Sequence, residues 1–553
     1  MYYILLKQIS CDEFQIDGHP RGPINFKKGL NVVLGGKSGT NSIGKSTFLM
    51  ILDFVFGGTD YITKDSDVQK NVGQHSVKFI FEFKGKNYYF SRSTKDFKNI
   101  NVCDKNFKPL KGKCMTLDKY LDFLLKQYNL DKLGLTFRNA VGRFIRVYNR
   151  QTVDEKRPLQ NVAQEPGKKQ VYSLLKLFDK YSSIEERENA NEEAKRAYKV
   201  FTNASKYIPI VSSKKQYKEN LKRINDLDQQ LKNLEIQNDN GVLTLDDIQL
   251  SKLRKIQNDL SQLQELKNTY INRLSIINSN EEIGVKRYKN DYHELIRFFP
   301  DVNIQKIEEI DSFHHQVTKF LELEFKKEKD NLERNIQYID QQSSRLIKEV
   351  RDIKKQQAPN VQTALLNEYA DIKMELNKLE DENKNFDEKN RLNQNKKDQK
   401  EALDATVNNE LIEVQDSLNT KMQELNEKVC KSKLFQPPHI ELKPNGYSFE
   451  TINDQGTGTS YKGLILFDQA CLELTNLPFF IHDSLLFSNI ELDRKNRIIE
   501  MYERETKQIF ISIDTIDLLS KQVQQIIKND TILKLERGGK ELFGRSWNEQ
   551  ENK

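Results

Sequence analysis

Cysteine is scarce in this 553-residue sequence: five residues, at 11, 103, 114, 430 and 471, with no C-x-x-C pair. Thiols scattered in this way exclude a disulfide framework and a cysteine-built zinc site, and they fit a reducing compartment. Long apolar runs are missing as well. No stretch of eighteen apolar residues occurs, so no membrane span is expected. The opening Met1-Tyr2-Tyr3-Ile4-Leu5-Leu6-Lys7 is too short and wrongly flanked for a signal peptide, and the expected location is cytoplasmic. Neither sign of charge dominates: 88 Lys and Arg stand against 81 Asp and Glu, a balance that argues only weakly for a polyanionic partner. Only 37% of residues are hydrophobic while 31% are charged, so much of the chain lacks a thick core. Glycine and proline almost vanish between residues 185 and 430, where heptads take over.

What is present begins with a phosphate cradle. Gly39-Thr40-Asn41-Ser42-Ile43-Gly44-Lys45-Ser46 fits G-x-x-x-x-G-K-[ST] and follows the apolar run Leu30 to Leu34, a strand-loop-helix context. Glycines let such a loop turn its N–H groups onto phosphates, Lys45 reaches the β/γ-phosphates, and the Ser46 hydroxyl ligates Mg²⁺. The helix expected over Thr47 to Phe56 adds its N-terminal dipole, and Gly57-Gly58 closes it. Strand-like "SVKFIFEF" and "NYYFSRS" flank the turn Lys84-Gly85-Lys86, and "LDKYLDFLLKQY" reads as helix, so residues 1–184 form an α/β lobe. Between Lys105 and Arg150 stand eleven Lys/Arg, including Lys132, Arg138, Arg143, Arg146 and Arg150, against three acids. This is a candidate surface for double-stranded DNA, and a solvated basic face is the alternative.

From 185 the apolar period becomes 3.5. Ile224, Leu227, Leu231 and Leu234 step by 3, 4, 3, and Leu253, Ile256, Leu260 and Leu263 repeat the step. Leu332, Ile336, Ile339, Leu346, Val350 and Ile353, then Leu365, Tyr369, Ile372, Leu376 and Leu379 after a break at Pro359, keep the register. Such a stripe needs a partner helix, so the segments read as coiled coil, with a helical bundle as the alternative. An outgoing arm over 185–296, a tip over 297–313 carrying Pro300, and a returning arm over 314–432 make an antiparallel hairpin. The stretch "DENKNFDEKNRLNQNKKDQK" (381–400) has almost no stripe and reads as frayed or loosely paired.

Residues 433–553 turn globular again. "HIELKPNGYSFET" is a hairpin, "DQGTGTSYKGLILFDQACLEL" a Gly/Thr loop opening a helix, "LPFFIHDSLLF" a strand ending in Asp483, and "KQIFISID" another ending in Asp514. If both ends of the chain share one sheet, Asp483 is the second residue on the Mg²⁺ side.

This order, with Gly39-x-Asn41-x-x-Gly44-Lys45-Ser46, resembles the SMC and recombination-repair branch of ABC ATPases. The resemblance implies an α/β fold: a split ABC-type P-loop ATPase head, its lobes joined around an inserted antiparallel coiled-coil hairpin. It implies a homodimer of heads sandwiching two ATPs, with Gly39, Asn41, Gly44, Lys45, Ser46 and Thr47 from one chain. Gly456, Thr457 and Gly458 of the signature loop would come from the other. Gln151 would be the Q-loop residue at the metal. Two departures stand out. Where such ATPases have Asp-Glu, this chain has His482-Asp483-Ser484, and Ser484 cannot act as the general base. The usual switch histidine is missing, with Ser512, Asp514 or Thr515 in its place. Glu491 offers a substitute base, or else simply starts a helix. The His-Asp-Ser ending and Gly-Thr-Gly loop look similar to the SMC-like subunit of Lamassu-like bacterial antiphage systems. That resemblance implies control of a separate effector nuclease beside a small helper subunit. The alternatives are a non-hydrolysing DNA clamp and a zinc-hook repair ATPase, the latter disfavoured because 297–313 holds no cysteine.

Overall fold

The structure, a computed structural model, describes residues 4–36, 43–64, 66–237, 247–286, 304–355, 361–432, 435–454 and 456–546. The chain divides into two units: residues 1–186 with 404–553, and residues 187–403.

The first unit contains two main sheets. The antiparallel one uses β1 (Ile4–Cys11), β4 (Ile24–Asn25), β6 (Ser76–Phe83), β7 (Lys86–Ser93), β8 (Asn99–Cys103) and β9 (Pro109–Thr116), in the order β4-β1-β6-β7-β8-β9. A two-stranded ribbon, β2 (Gln15–Ile16) with β3 (His19–Pro20), lies between β1 and β4 in the chain. Strict alternation in β6 buries Val77, Phe79, Phe81 and Phe83 on one face. Lys84 and Gly85, at φ 52° and 77°, supply the left-handed pair that a two-residue hairpin turn requires.

The second sheet is parallel and draws on both ends of the chain. It comprises β5 (Leu30–Leu34), β10 (Ile145–Arg146), β13 (Phe479–His482), β14 (Gln508–Ile513) and β15 (Thr531–Lys534), in the order β10-β13-β14-β5-β15. All residues of β5, β13 and β14 are buried, the pattern of strands covered on both faces. Helix α1 (Lys45–Val55) follows β5, and α2 (Asp60–Thr63) and α3 (Ser66–Val72) come next. After the antiparallel sheet run α4 (Leu117–Gln127), α5 (Phe137–Val141) and α6 (Gly167–Leu177). Because β5 pairs with β14 on one side and β15 on the other, the fold is the split α/β head in which N- and C-terminal lobes complete one sheet.

The second unit is helical. α7 (Ser182–Ala204), α8 (Lys214–Gln237) and α9 (Asp247–Lys286) are followed by α10 (Ile304–Lys355) and α11 (Val361–Cys430); the division between units falls within α7 and within α11. Leu227 and Leu231 pack on Ile372 and Leu376, with Ile224, Leu234, Tyr369 and Leu379 at the margins. Farther along, Leu274 and Ile277 pack on Leu332 beside Tyr270 and Ile336. Cross-helix ion pairs, Arg223 with Glu375, Lys267 with Asp340 and Arg273 with Glu328, run in opposite senses, so the helices are antiparallel. Each buried leucine contributes about 1.5–3 kcal/mol.

Three expectations change. The segment 381–400 is not frayed: it lies inside α11, where Asn383 is buried beside Asn220, Asp387 accepts from the Tyr217 hydroxyl, and Lys396 lies over the Tyr198 ring. Polar contacts replace the missing stripe. Of the expected tip, residues 297–303 fall outside the described residues, and the chain is already helical from Ile304. The returning arm's last turns belong to the first unit. There Asn419 exchanges two hydrogen bonds with Ile440 of β11 (Pro438–Lys443), whose hairpin partner is β12 (Gly446–Thr451). Then come α12 (Thr457–Leu474), α13 (Leu492–Glu503) and α14 (Lys521–Asp530).

Candidate nucleotide site

Strands β5, β13 and β14 run parallel, so their carboxyl ends share one edge of the sheet, where ligands of such sheets collect. Gly35 continues β5 so close to β14 that a Cβ there would come within 2.6 Å of the Asp514 carbonyl oxygen. Gly44 has φ 92°, a conformation that suits glycine, and a Cβ on it would meet Leu542 at 2.6 Å. Lys45 opens α1, whose N-terminus has no side-chain cap, so its first backbone N–H groups have no side-chain acceptor there. The Lys45 side chain is buried at 7% exposure, with its ammonium 3.2 Å from Asp514 Oδ1. Gly44, Ser46 and Thr47 line a cavity of about 270 Å³ together with Tyr148 and Asn149. Gly39 and Asn41 lie outside the described residues.

Asp483 sits one residue beyond β13 and is buried. Its Oδ1 accepts from the Ser484 N–H at 2.8 Å and the Ser512 hydroxyl at 2.7 Å; its Oδ2 accepts from the Tyr148 N–H at 3.1 Å. The Ser484 N–H also points to Ser512 Oγ at 2.8 Å. Tyr148 thus joins the Asp483 carboxylate to the cavity that Ser46 lines. An uncapped helix terminus and a hydroxyl in one cavity, with a buried cation and an acid alongside, fit a polyphosphate with its metal. Among the described residues no cluster of three or more His, Cys, Asp or Glu is placed to hold a metal. A divalent ion here would draw on Ser46, Asp483 and phosphate oxygens. Glu491 precedes α13 with its carboxylate exposed and paired with Arg494 at 3.1 Å.

Behind Asp483 lies a buried polar network. Arg146 donates to both Asp468 oxygens at 2.8 and 2.6 Å, and also to the carbonyls of Thr152 and Pro158. His482 Nε2 lies 2.9 Å from Asp468 Oδ2 and Nδ1 lies 2.9 Å from the Tyr502 hydroxyl. Burial holds the imidazole below its ordinary pKa and pushes the Tyr502 phenol well above its own. His482 is therefore neutral, donating from Nε2 to Asp468 and accepting from Tyr502. Burial alone would raise the Asp468 carboxyl, but Arg146 and His482 outweigh it and bring the pKa below the usual carboxylate value. Asp468 thereby ties α12 to β10 and β13.

The expected DNA arginines require correction. Arg143, Arg146 and Arg150 are buried, at 1%, 0% and 6% exposure, and so cannot meet a phosphate backbone. Arg150 and Arg138 hold the buried Asp53 of α1 at 2.7 and 2.6 Å, and Arg143 donates to the carbonyls of Asn139 and Leu159. Guanidinium groups with internal acceptors are structural. Lys132 is exposed, as are Lys105, Lys108, Lys111, Lys113, Lys119 and Lys126. Gln151 is exposed at the start of a 3-10 turn and does not line the cavity, where Tyr148 and Asn149 stand instead. Gly456 caps α12 from an exposed loop in which Asp454 accepts from the Gly456 N–H and the Thr459 hydroxyl. A Cβ on Gly458 would come within 2.3 Å of the Asn489 carbonyl oxygen, so this turn admits no side chain there.

Sequence reasoning named Asp514 and Ser512 only in place of a switch histidine and missed them as the partners of Lys45 and Asp483, although Asp514 follows an apolar strand in the way Asp483 does. Asp468 also had a signal, a lone carboxylate inside the apolar run of α12.

Residues 414–547 match a family model described as "Uncharacterised protein conserved in bacteria (DUF2326)". No curated protein matches the chain. Among solved structures it is similar to the Smc head domain with a coiled coil and joint from Pyrococcus yayanosii: 14% identity, TM-score 0.41, covering 98% of this chain and 96% of that one. It is also similar to the Pyrococcus furiosus Smc head with an extended coiled coil bound to the C-terminal domain of ScpA, at 11% identity, TM-score 0.36, covering 97% and 93%. The recombination mediator protein RecF of the RecFOR pathway aligns at 12% identity, TM-score 0.27, covering 94% of each chain. At these TM-scores the fold assignment rests on the sheet order and register above. No described helix is long and apolar enough to cross a membrane.

Proposed function

We propose that this chain is an SMC-like ABC ATPase that binds ATP with Mg²⁺ at Lys45, pairs two heads on ATP, and acts on double-stranded DNA. The buried Lys45 ammonium at the uncapped start of α1 carries this reading. Ser46 and Asp483 would hold the metal, which would neutralise phosphate charge. Gly456, Thr457 and Gly458 open a helix from an exposed loop, which suits contact with a nucleotide held by a second copy. The lysines from Lys105 to Lys132 are the DNA surface in this reading, replacing the buried arginines. On the resemblance to Lamassu-like systems, the chain would restrain or release a separate effector nuclease, with a small helper subunit, in bacterial defence against foreign DNA.

Ser484 favours a second reading, an ATP-locked clamp with negligible turnover, because the residue after Asp483 carries no carboxylate. ATP binding and turnover of the full chain, with and without linear and circular duplex DNA, separate the two. Lys45→Ala should raise the ATP dissociation constant about 10–150-fold, as expected on removing one charge-assisted hydrogen bond of about 1.5–3 kcal/mol. Unaltered ATP-dependent pairing in Lys45→Ala would refute the nucleotide assignment. Turnover stimulated by DNA and abolished by Asp483→Ala supports the sensing ATPase; binding and pairing without turnover supports the clamp.

A further inference from the structure

The cavity has a wall that neither the P-loop motif nor the Asp483 strand accounts for. Met50 lies one turn beyond Ser46 on α1, about 6 Å along the axis. Beyond the first turn of α1 the lining also takes Lys64, Asp67, Phe543 and Arg545. Phe543 and Arg545 come from the segment that follows β15, and that segment is built into the head. Asp17 N–H donates to the Gly539 carbonyl at 2.7 Å, and Leu542 N–H donates to the Ile43 carbonyl at 3.1 Å, directly before Gly44. The Glu541 carboxylate is occupied by the N–H groups of Gly538 and Gly539, at 2.9 and 3.0 Å, so its charge is already satisfied. Phe543 packs edge-on against Phe14, ring centroids 5.8 Å apart. Arg545 is positioned by a 2.8 Å hydrogen bond from one terminal nitrogen to the Asn71 carbonyl on α3. A guanidinium carries five donors, and one such bond leaves its charge and planar face for a ligand.

We propose that the segment Glu536–Arg545 is the nucleoside-side wall of the nucleotide site, and that the planar Arg545 guanidinium lies against the nucleoside of the ligand. The inference rests on reading the cavity as a nucleotide site. The phosphate-binding features, Gly44, Lys45 and Ser46, occupy the start of α1. What remains, Met50 and Phe543 with the charged Lys64, Asp67 and Arg545, offers an apolar and planar surface to a base and polar groups to its ribose.

Calorimetric titration of the full chain with ATP, ADP and inorganic tripolyphosphate tests it in wild type, Arg545→Ala, Arg545→Lys and Lys45→Ala. Arg545→Ala should weaken ATP and ADP alike, by roughly 2–30-fold, as expected for one cation–π contact with the base, and leave tripolyphosphate unchanged. Arg545→Lys should recover part of the affinity. This keeps the test decisive if the alanine variant is poorly folded, because lysine retains the charge without the planar fork. Lys45→Ala should instead weaken ATP and tripolyphosphate most. Wild-type affinities in Arg545→Ala beside weakened binding in Lys45→Ala would overturn the inference and leave the nucleotide reading standing. Tripolyphosphate weakened as much as ATP would also overturn it, by placing Arg545 on the polyphosphate. Failure of the wild-type chain to bind any nucleotide would remove the nucleotide reading itself.

Discussion

Arg146 and Lys132 stand fourteen positions apart in the same basic stretch, yet one is fully buried and the other exposed. Their substitutions should separate accordingly. Arg146→Leu leaves Asp468 buried without its cation and should destabilise the chain by about 3–5 kcal/mol in denaturant unfolding. Lys132→Glu should stay within about 0.5 kcal/mol. Equal destabilisation in the two would contradict the buried pair. The histidines make a pH prediction. Burial lowers the pKa of both His75 and His482, so the folded chain resists a proton that the unfolded chain accepts near pH 6.5. The stability they contribute is present in full above that pH and is lost as pH falls toward the folded values, by at most about 1.4 kcal/mol per pH unit for each. The melting midpoint should therefore drop from pH 7 to 5.5, and less steeply in His75→Gln. A flat profile would mean the imidazoles are not held neutral. Asp53 and Asp468, both shifted below the ordinary carboxylate value, add nothing in that window.

At the scale of elements, what could be read from the sequence was local pattern. The eight heptad residues from Ile224 to Leu234 and from Tyr369 to Leu379 form one core cluster, because a 3.5-residue stripe is determined within a single helix. The hairpins at Lys84-Gly85 and Pro444-Asn445 were legible for the same reason, as turn chemistry resides in adjacent residues. Burial of a charge does not reside there. Arg146 is internal because Asp468, more than three hundred residues later, meets it, and no count of lysines and arginines contains that information. The low-stripe region of α11 illustrates the converse. The buried Asn220 and Asn383 pair with each other where leucines would bury more apolar surface. Replacing both with leucine should raise the unfolding midpoint by about 1–3 kcal/mol equivalent while loosening register. A lower midpoint would show that the amides contribute more than the burial they displace.

At the scale of the whole molecule, the proposed DNA surface draws on exposed lysines distributed over β9, α4 and the turns beside them. Reversing Lys111, Lys113 and Lys132 to glutamate should weaken duplex binding uniformly across sequences and reduce the salt slope by about one for each phosphate no longer neutralised. An unchanged slope would move the surface elsewhere on the molecule. Lysines along an edge strand also discourage pairing with another sheet, and a change in aggregation without a change in DNA binding would assign them that role alone. The interleaving of β5 between β14 and β15 has a temporal side. During synthesis the antiparallel sheet, all of whose strands lie before residue 117, can close early. Strand β5 must wait for partners about 480 residues downstream. At about 5–20 residues per second, that is roughly 25–100 s in which an apolar strand and the cradle after it have no sheet to belong to. The nascent chain thus carries an unpaired apolar strand through most of the synthesis of residues 1–553, and Lys45 can meet Asp514 only once β14 has emerged from the ribosome.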